Sequence, residues 1–218
     1  MTTACGLDVG ADRVHGVVID STYSVVETRL LPADRLDYLI RWAAEHDAIA
    51  IDSPDLLSTG PHLDDSTLAL KFRSGRCAEI GLARNQHIYV PWVTPMSADA
   101  LARWMEVGMA IFAKLRANGD SPIEVFPYSA YRVLAAGTKL HTKQSEIGLT
   151  QRIDLLRSRS CGGAWIEMWS HDGLDALVAA LVAGDHLVGK AEPATCGHDG
   201  SAIWLPAAPA RVQPGDFS

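Results

Sequence analysis

Three short apolar runs open the chain with almost nothing between them. Residues 4–9 (Ala-Cys-Gly-Leu-Asp-Val), residues 13–20 (Arg-Val-His-Gly-Val-Val-Ile-Asp) and residues 23–30 each have the length and patterning of a strand. Ser21-Thr22 supplies turn chemistry between the second and third. Strands joined by loops this short pair antiparallel, because a parallel pair needs a crossover of about a dozen residues or more. The chain therefore begins with an antiparallel meander. A dinucleotide-binding fold would instead take its first strand through a Gly-rich turn into a helix, so that class is disfavoured.

The meander is followed by alternating periods. Leu36, Leu39, Ile40 and Ala43 fall on one helical stripe within residues 33–46, and residues 48–52 form a compact strand stopped by Ser53-Pro54. Residues 54–75 carry no period and contain Pro54, Gly60, Pro61 and Gly75. A loop this long inside a compact domain is characteristically functional. Helices are expected over 97–117, 128–136, 146–158 and 170–188. Short strands are expected at 122–127 and, as a final sheet edge, at 201–205. The pattern predicts an α/β class with a mixed sheet and helices on both faces. A single domain spans 1–205 and a loose Pro/Ala-rich tail spans 206–218. At 218 residues and 48% apolar content the chain can bury a core without disulfide or metal staples.

Charge is uneven. The net charge is −7, and residues 1–70 hold 12 acids against 4 bases. Residues 71–84 hold 4 bases and 1 acid, and residues 132–159 hold 6 bases and 2 acids. A uniformly basic nucleic-acid coat is excluded, but two basic segments can meet a polyanion locally. Cys5, Cys77, Cys161 and Cys196 form no Cys-x-x-Cys pair, and no His cluster completes a zinc spacing. No secretory signal opens the chain and no run of 18 apolar residues exists, so the expectation is a cytoplasmic protein with reduced thiols and no membrane partner.

The chemistry lies in the placement of acids. On the first strand, Leu7 and Val9 share one face while Gly6, Asp8 and Gly10 share the other, leaving a carboxylate open to approach. Asp52 ends its strand on a face it shares with Ala48 and Ala50. Glu124 lies on the strand at 122–127. In His171-Asp172-Gly173-Leu174-Asp175 the two aspartates are three apart and project from one side of a helix. Each acid has a plainer role: Asp8 ties a turn, Asp52 caps a bend, Asp172 favours a helix dipole. Jointly they form a hard oxygen donor set suited to Mg²⁺ or Mn²⁺. Two such ions can stabilise a phosphodiester displacement.

Arg76 and Glu79 read either as an i,i+3 pair opening a helix or as a phosphate holder with a support for the metal shell. Lys139, Lys143, Arg152, Arg157 and Arg159 read either as solvated charge or as a track for a nucleic-acid backbone, and Lys71, Arg73 and Arg76 end the 54–75 loop with positive charges that let a phosphodiester chain approach the acids. Tyr128 and Tyr131 read as core or as base-stacking rings. His171 reads as a helix opener or a donor to substrate.

Gly-Leu-Asp8-Val-Gly, Ile-Asp52-Ser-Pro, Arg76-Cys-Ala-Glu79, Ile-Glu124-Val-Phe-Pro, His-Asp172-Gly-Leu-Asp175-Ala and the closing Ile203-Trp-Leu-Pro resemble a bacterial and archaeal family of unknown function. Its members are described as predicted RNase H-like nucleases, and the resemblance keeps motif order over nearly the whole chain. It implies the RNase H-like fold: a mixed five-stranded sheet, first three strands antiparallel, with flanking helices. More distantly the chain resembles Holliday-junction resolvases of that fold, to whose catalytic acids Asp8, Asp52, Asp172 and Asp175 correspond, while Glu124 has no clear counterpart. The implied function is a nuclease using two Mg²⁺ or Mn²⁺ ions. Asp8, Asp52, Asp172 and Asp175 are its catalytic and metal ligands. Glu124, Glu79 and His171 are further site candidates, and Arg76, Lys71, Arg73, Lys139 and Lys143 are the candidate substrate contacts. Nucleic acid is the expected partner, and a homodimer stays open. The competing readings are a binding protein that kept the fold without activity, and an ATP-dependent phosphotransferase of the actin and sugar-kinase type. The latter needs two such domains, more than this length holds.

Overall fold

The computed structural model describes residues 1–161 and 169–208; of the expected tail, residues 209–218 lie outside this range. The opening meander is β1 (Thr3–Val9), β2 (Arg13–Asp20) and β3 (Val25–Pro32), antiparallel throughout. There follow α1 (Leu36–Ala43), β4 (Ala48–Asp52), the short α2 (Leu70–Arg73), α3 (Cys77–Arg84) and α4 (Arg103–Ala117). The chain continues through β5 (Ile123–Val125), α5 (Pro127–Leu134), α6 (Glu146–Ser158), α7 (His171–Leu187), β6 (Glu192–Ala194) and β7 (Ile203–Leu205).

The sheet is mixed, in the order β3-β2-β1-β4-β5-β7-β6. Its first five members match the expected five strands, but among the described residues the sheet has seven. β7 pairs parallel with β5 through Glu124 and Ile203, and β6 pairs antiparallel with β7. Residues 201–205 are thus not the edge; β6 is. Three residues containing Pro193 carry too little period to read as a strand, and proline suits an edge because it cannot donate to a ladder. The expected 97–117 helix also begins late. Ala102 is extended, at ψ 148°, which separates a single 3₁₀ turn at Ala98–Ala100 from α4.

Helices cover both faces. Leu7, Val9, Ile49 and Ile51 pack with Leu39, Ile40, Ile111 and Phe112 of α1 and α4. On the opposite face Ala4 and Ala50 meet α7. Small residues bring that helix unusually near. A Cβ on Gly6 would stand 2.1 Å from Ala180 N and 2.2 Å from Ala176 O. Leu174, Leu177, Val178, Leu181 and Val182 are fully buried along α7, each stabilising the fold by roughly 1.5–3 kcal/mol relative to exposure. This stripe fixes the register of α7 on β1 and β4, and so the position of the acids at its start.

The 54–75 segment is stitched to its surroundings. Ser58 N donates to Pro95 O at 3.0 Å, and Leu68 is buried. Among the described residues no helix is long and apolar enough to cross a membrane.

Candidate active site

Parallel pairing of β1 with β4 sets Asp8 opposite Asp52, at the end of both strands. The small-residue rows Ala4-Gly6 and Ala48-Ala50 terminate in these two acids on the α7 side. The first turns of α7 lie over that end. Ser170 caps the helix by accepting from Gly173 N, and Asp172 and Asp175 follow. Asp175 is buried and Asp172 half-buried. The four acids predicted from sequence therefore converge on one place, as strand alternation and helical spacing required.

Their electrostatics are those of crowded carboxylates. Burial, then the charges of Asp175 and Asp172, push the Asp8 carboxyl up to about 7. Burial and the charge of Asp8 raise Asp52 well above its ordinary carboxyl value. Asp175 is raised by burial and partly offset by Lys143, whose Nζ lies 2.7 Å from Asp175 Oδ2. That ammonium also lowers Asp8 and Asp52, so the chain brings a cation of its own to the cluster.

His15 joins the group. It stands opposite Asp8 in the β1–β2 register, with Nδ1 3.8 Å from Asp8 Oδ2. Donor atoms of Asp8, His15 and Asp172 all lie within 4.8 Å of one another. Burial lowers the His15 pKa, which keeps the ring neutral near pH 7 and able to ligate or accept a proton. Sequence reasoning missed His15, although counting back across the Gly10–Asp12 turn would have placed it beside Asp8. His171 pairs with Asp172, its Nδ1 2.6 Å from Asp172 Oδ1.

A cleft of about 510 Å³ is lined by Asp8, His15, Asp52, Lys143 and Asp172. Three aromatic residues, Trp92, Trp104 and Phe126, also line it. Trp92 stands edge-on to Trp104 and to Phe126, at centroid separations of 5.5 and 5.6 Å. Trp92 sits in no period, and Trp104 lies in an expected helix whose pattern did not assign it to a site. A second hollow of about 610 Å³ adjoins through Asp52, Phe126 and Lys143.

Several expected site residues lie elsewhere. Arg76 is 1% exposed and grips Glu124 with both terminal nitrogens, at 2.7 and 2.6 Å. It also donates to Glu79 at 3.1 Å and Asp55 at 2.9 Å. A guanidinium enclosed this way has no face left for a phosphate. Glu124 and Glu79 serve as its partners rather than as members of the Asp8 cluster; burial still pushes Glu124 up to about 7 against the pull of Arg76. Glu79 also caps its own helix by accepting from Arg76 N.

Lys71 donates to Val90 O and stacks on Phe72 and Tyr89, while Arg73 donates to Leu68 O and Ser66 O. These two hold the 54–75 segment together. Lys139 is exposed, with its carbonyl accepting from Gln151. Arg152 is buried against Tyr131, and Arg159 pairs with Asp185, so both are structural. Tyr131 is core, donating to Leu174 O at 2.8 Å. Of the five candidate substrate contacts, only Lys143 lines the carboxylate cleft.

Comparison with known proteins gives three results. A stretch of 68 residues, 31% of this chain, is 37% identical to the RNA polymerase-associated protein RapA of Vibrio cholerae serotype O1, in strains M66-2 and ATCC 39315 / El Tor Inaba N16961. The match spans only 7% of that protein's length. Among solved structures, T. thermophilus RuvC in complex with Holliday junction substrate is 15% identical, with a TM-score of 0.43 over 87% of this chain and 97% of RuvC. Residues 6–196 match the family described as Protein of unknown function (DUF429), and the chain belongs to that family.

Proposed function

We propose that the protein is a metal-dependent nuclease with an RNase H-like fold. The observation that carries this reading is the convergence of Asp8, Asp52 and Asp172 on one open cleft, with Asp175 lining the hollow that adjoins it. Four carboxylates crowded until Asp8 titrates near neutrality are an unfavourable arrangement without a cation. The donor set is mostly hard oxygen, which fits Mg²⁺, and the neutral His15 makes Mn²⁺ equally acceptable. Asp8 and Asp52 would hold one ion, with Asp172, Asp175 and His15 available to a second. Such ions polarise the phosphate and offset charge on the attacking and leaving oxygens of a displacement.

The chain's own residues supply the rest. Lys143 brings positive charge to the cleft and offsets repulsion between the acids and a phosphodiester. His15 offers an uncharged nitrogen that can take a proton. Trp92, Trp104 and Phe126 present ring surface on which unpaired bases can stack.

The test is cleavage of branched, RNA–DNA hybrid and single-stranded substrates in Mg²⁺ or Mn²⁺, against Asp8→Asn as control. Metal-dependent cleavage lost in Asp8→Asn supports the reading. Absence of cleavage throughout the panel, with metal binding at the acids demonstrated, would leave the non-catalytic binding protein as the better account.

A further inference from the structure

A second donor cluster lies apart from the acids. His62 from the 54–75 segment, Cys77 at the start of α3, and Cys196 and His198 from the β6–β7 connection bring their donor atoms together, all within 4.8 Å. His62 Nε2 lies 3.1 Å from Cys196 Sγ and 3.5 Å from Cys77 Sγ, and His198 Nδ1 lies 3.9 Å from Cys77 Sγ. The two imidazoles stand edge to face at 5.0 Å. Zinc with bonds of about 2.3 Å to sulfur and 2.0–2.1 Å to nitrogen, in a tetrahedron, sets neighbouring sulfur and nitrogen atoms roughly 3.5 Å apart. The observed separations bracket that value.

The geometry points to a structural Zn²⁺ site formed by His62, Cys77, Cys196 and His198. Two thiolates and two imidazoles are a soft, borderline set that selects zinc over Mg²⁺ and so distinguishes this site from the carboxylate cleft. Four protein ligands leave no open position, the mark of a structural rather than a catalytic ion.

The surroundings orient the donors. His198 N donates to Cys77 Sγ at 3.2 Å, a contact that suits a thiolate. Asp199 accepts from Cys77 N at 3.0 Å and from Ser201 N and Oγ, and Ser201 Oγ accepts from Ala78 N. The β6–β7 connection is thereby wrapped onto the start of α3. What joins it to the 54–75 segment at this point is His62. Cys77 follows directly on Arg76, which grips Asp55 and Glu124, so an ion here would brace the loop that leaves Asp52. Binding exchanges two thiol protons for the cation and releases them to solvent.

The reduced, tag-free full-length chain, stripped by chelator, should be titrated with Co²⁺. A thiolate-to-cobalt charge-transfer band with tetrahedral d–d absorption, saturating at one equivalent and displaced by Zn²⁺, is the expected result. His198→Asn, at an exposed position, should lower affinity ~tenfold or more, and Cys196→Ser should reduce the charge-transfer intensity. Asp8→Asn should leave the spectrum unchanged, which separates this site from the nuclease reading. A missing band in the reduced parent chain, or a band and affinity that Cys196→Ser and His198→Asn leave intact, would overturn the assignment.

Discussion

Asp8 and Asp52 face each other in register across a parallel strand pair, and the charge of Asp8 helps hold the Asp52 carboxyl well above its ordinary value. Two acids so placed cannot both be ionised without a counter-charge. The metal-free protein therefore holds a proton there that the unfolded chain releases. For Asp8, raised from 3.8 to about 7, the folded state binds more protons between those values. Its contribution to stability is full at low pH and is lost as pH rises through about 7. Glu124 adds a slope of the same sign. Apo thermal stability should fall from about pH 5 to pH 8, and Asp8→Asn should flatten the Asp8 share, on the order of a few kcal/mol. Mn²⁺ should restore the parent at pH 8 more than the variant. A pH profile identical in parent and Asp8→Asn would mean that Asp8 titrates normally.

Lys143 offers a second handle on the same charge. Its ammonium 2.7 Å from Asp175 offsets the cluster where a metal would. Lys143→Met should lower apo stability by on the order of 1 kcal/mol, since its side chain is 38% exposed and solvent screens the pair. The melting shift produced by saturating Mn²⁺ should then be larger than in the parent, because the ion meets an uncompensated site. An equal shift in both proteins would show that Lys143 and the metal do not share the acids.

Arg76 should behave as a stabilising residue, not a substrate contact. Removing it strips Glu124, Glu79 and Asp55 of their shared guanidinium and leaves Asp55 its other partner, Arg116, at 2.7 Å. Arg76→Ala should cost about 3–5 kcal/mol, the range for breaking a buried pair from one side. Glu124→Ala should cost less, since Arg76 keeps two carboxylates. Chemical denaturation measures both; the reverse order would sink the assignment of Arg76 as the centre of the network.

The acids were legible because alternation and helical spacing are local: Asp8, Asp52, Asp172 and Asp175 each sit at a fixed phase of an element. The meander was legible for the same reason, through the short loops on either side of residues 13–20. What escaped depended on contacts distant in sequence. The Arg76–Glu79 pair was legible at its i,i+3 spacing, but the grip of Arg76 on Glu124 was not, because Glu124 lies 48 residues away. Trp92 and Trp104 belong to irregular chain and a helix start, where no period assigns a direction. His62 and Cys77 are 15 residues apart, and Cys196 a further 119, so no spacing announced a metal tetrad. The edge strand β6 is too short to carry alternation.

The aromatic residues lining the cleft predict a preference for unpaired nucleotides. Trp104 is half-buried at the start of α4 and lines the cleft with Trp92 and Phe126. If bases stack there, Trp104→Ala should weaken binding of a single-stranded oligonucleotide by roughly 1–3 kcal/mol per stacked base. Duplex binding should change little. Fluorescence anisotropy with Ca²⁺ in place of Mg²⁺ separates binding from cleavage, and equal losses for both ligands would remove the stacking role.

Gly6 links the fold to the site. It has no side chain because α7 occupies that space, with Ala180 N and Ala176 O within 2.2 Å of where a Cβ would be. Both obstructing atoms are helix backbone, so no rotamer change can relieve the clash. Gly6→Ala must push α7 away from β1, which opens its packing and carries Asp172 and Asp175 away from Asp8. The expected loss is about 3 kcal/mol, at the upper end for overpacking a core. Metal affinity should fall in the same variant although no ligand has changed. Ala180→Gly in the Gly6→Ala background should not rescue it, because the clash is with backbone rather than with a methyl group. A variant that melts within a degree of the parent and binds Mn²⁺ equally well would show that α7 is not held this closely to β1.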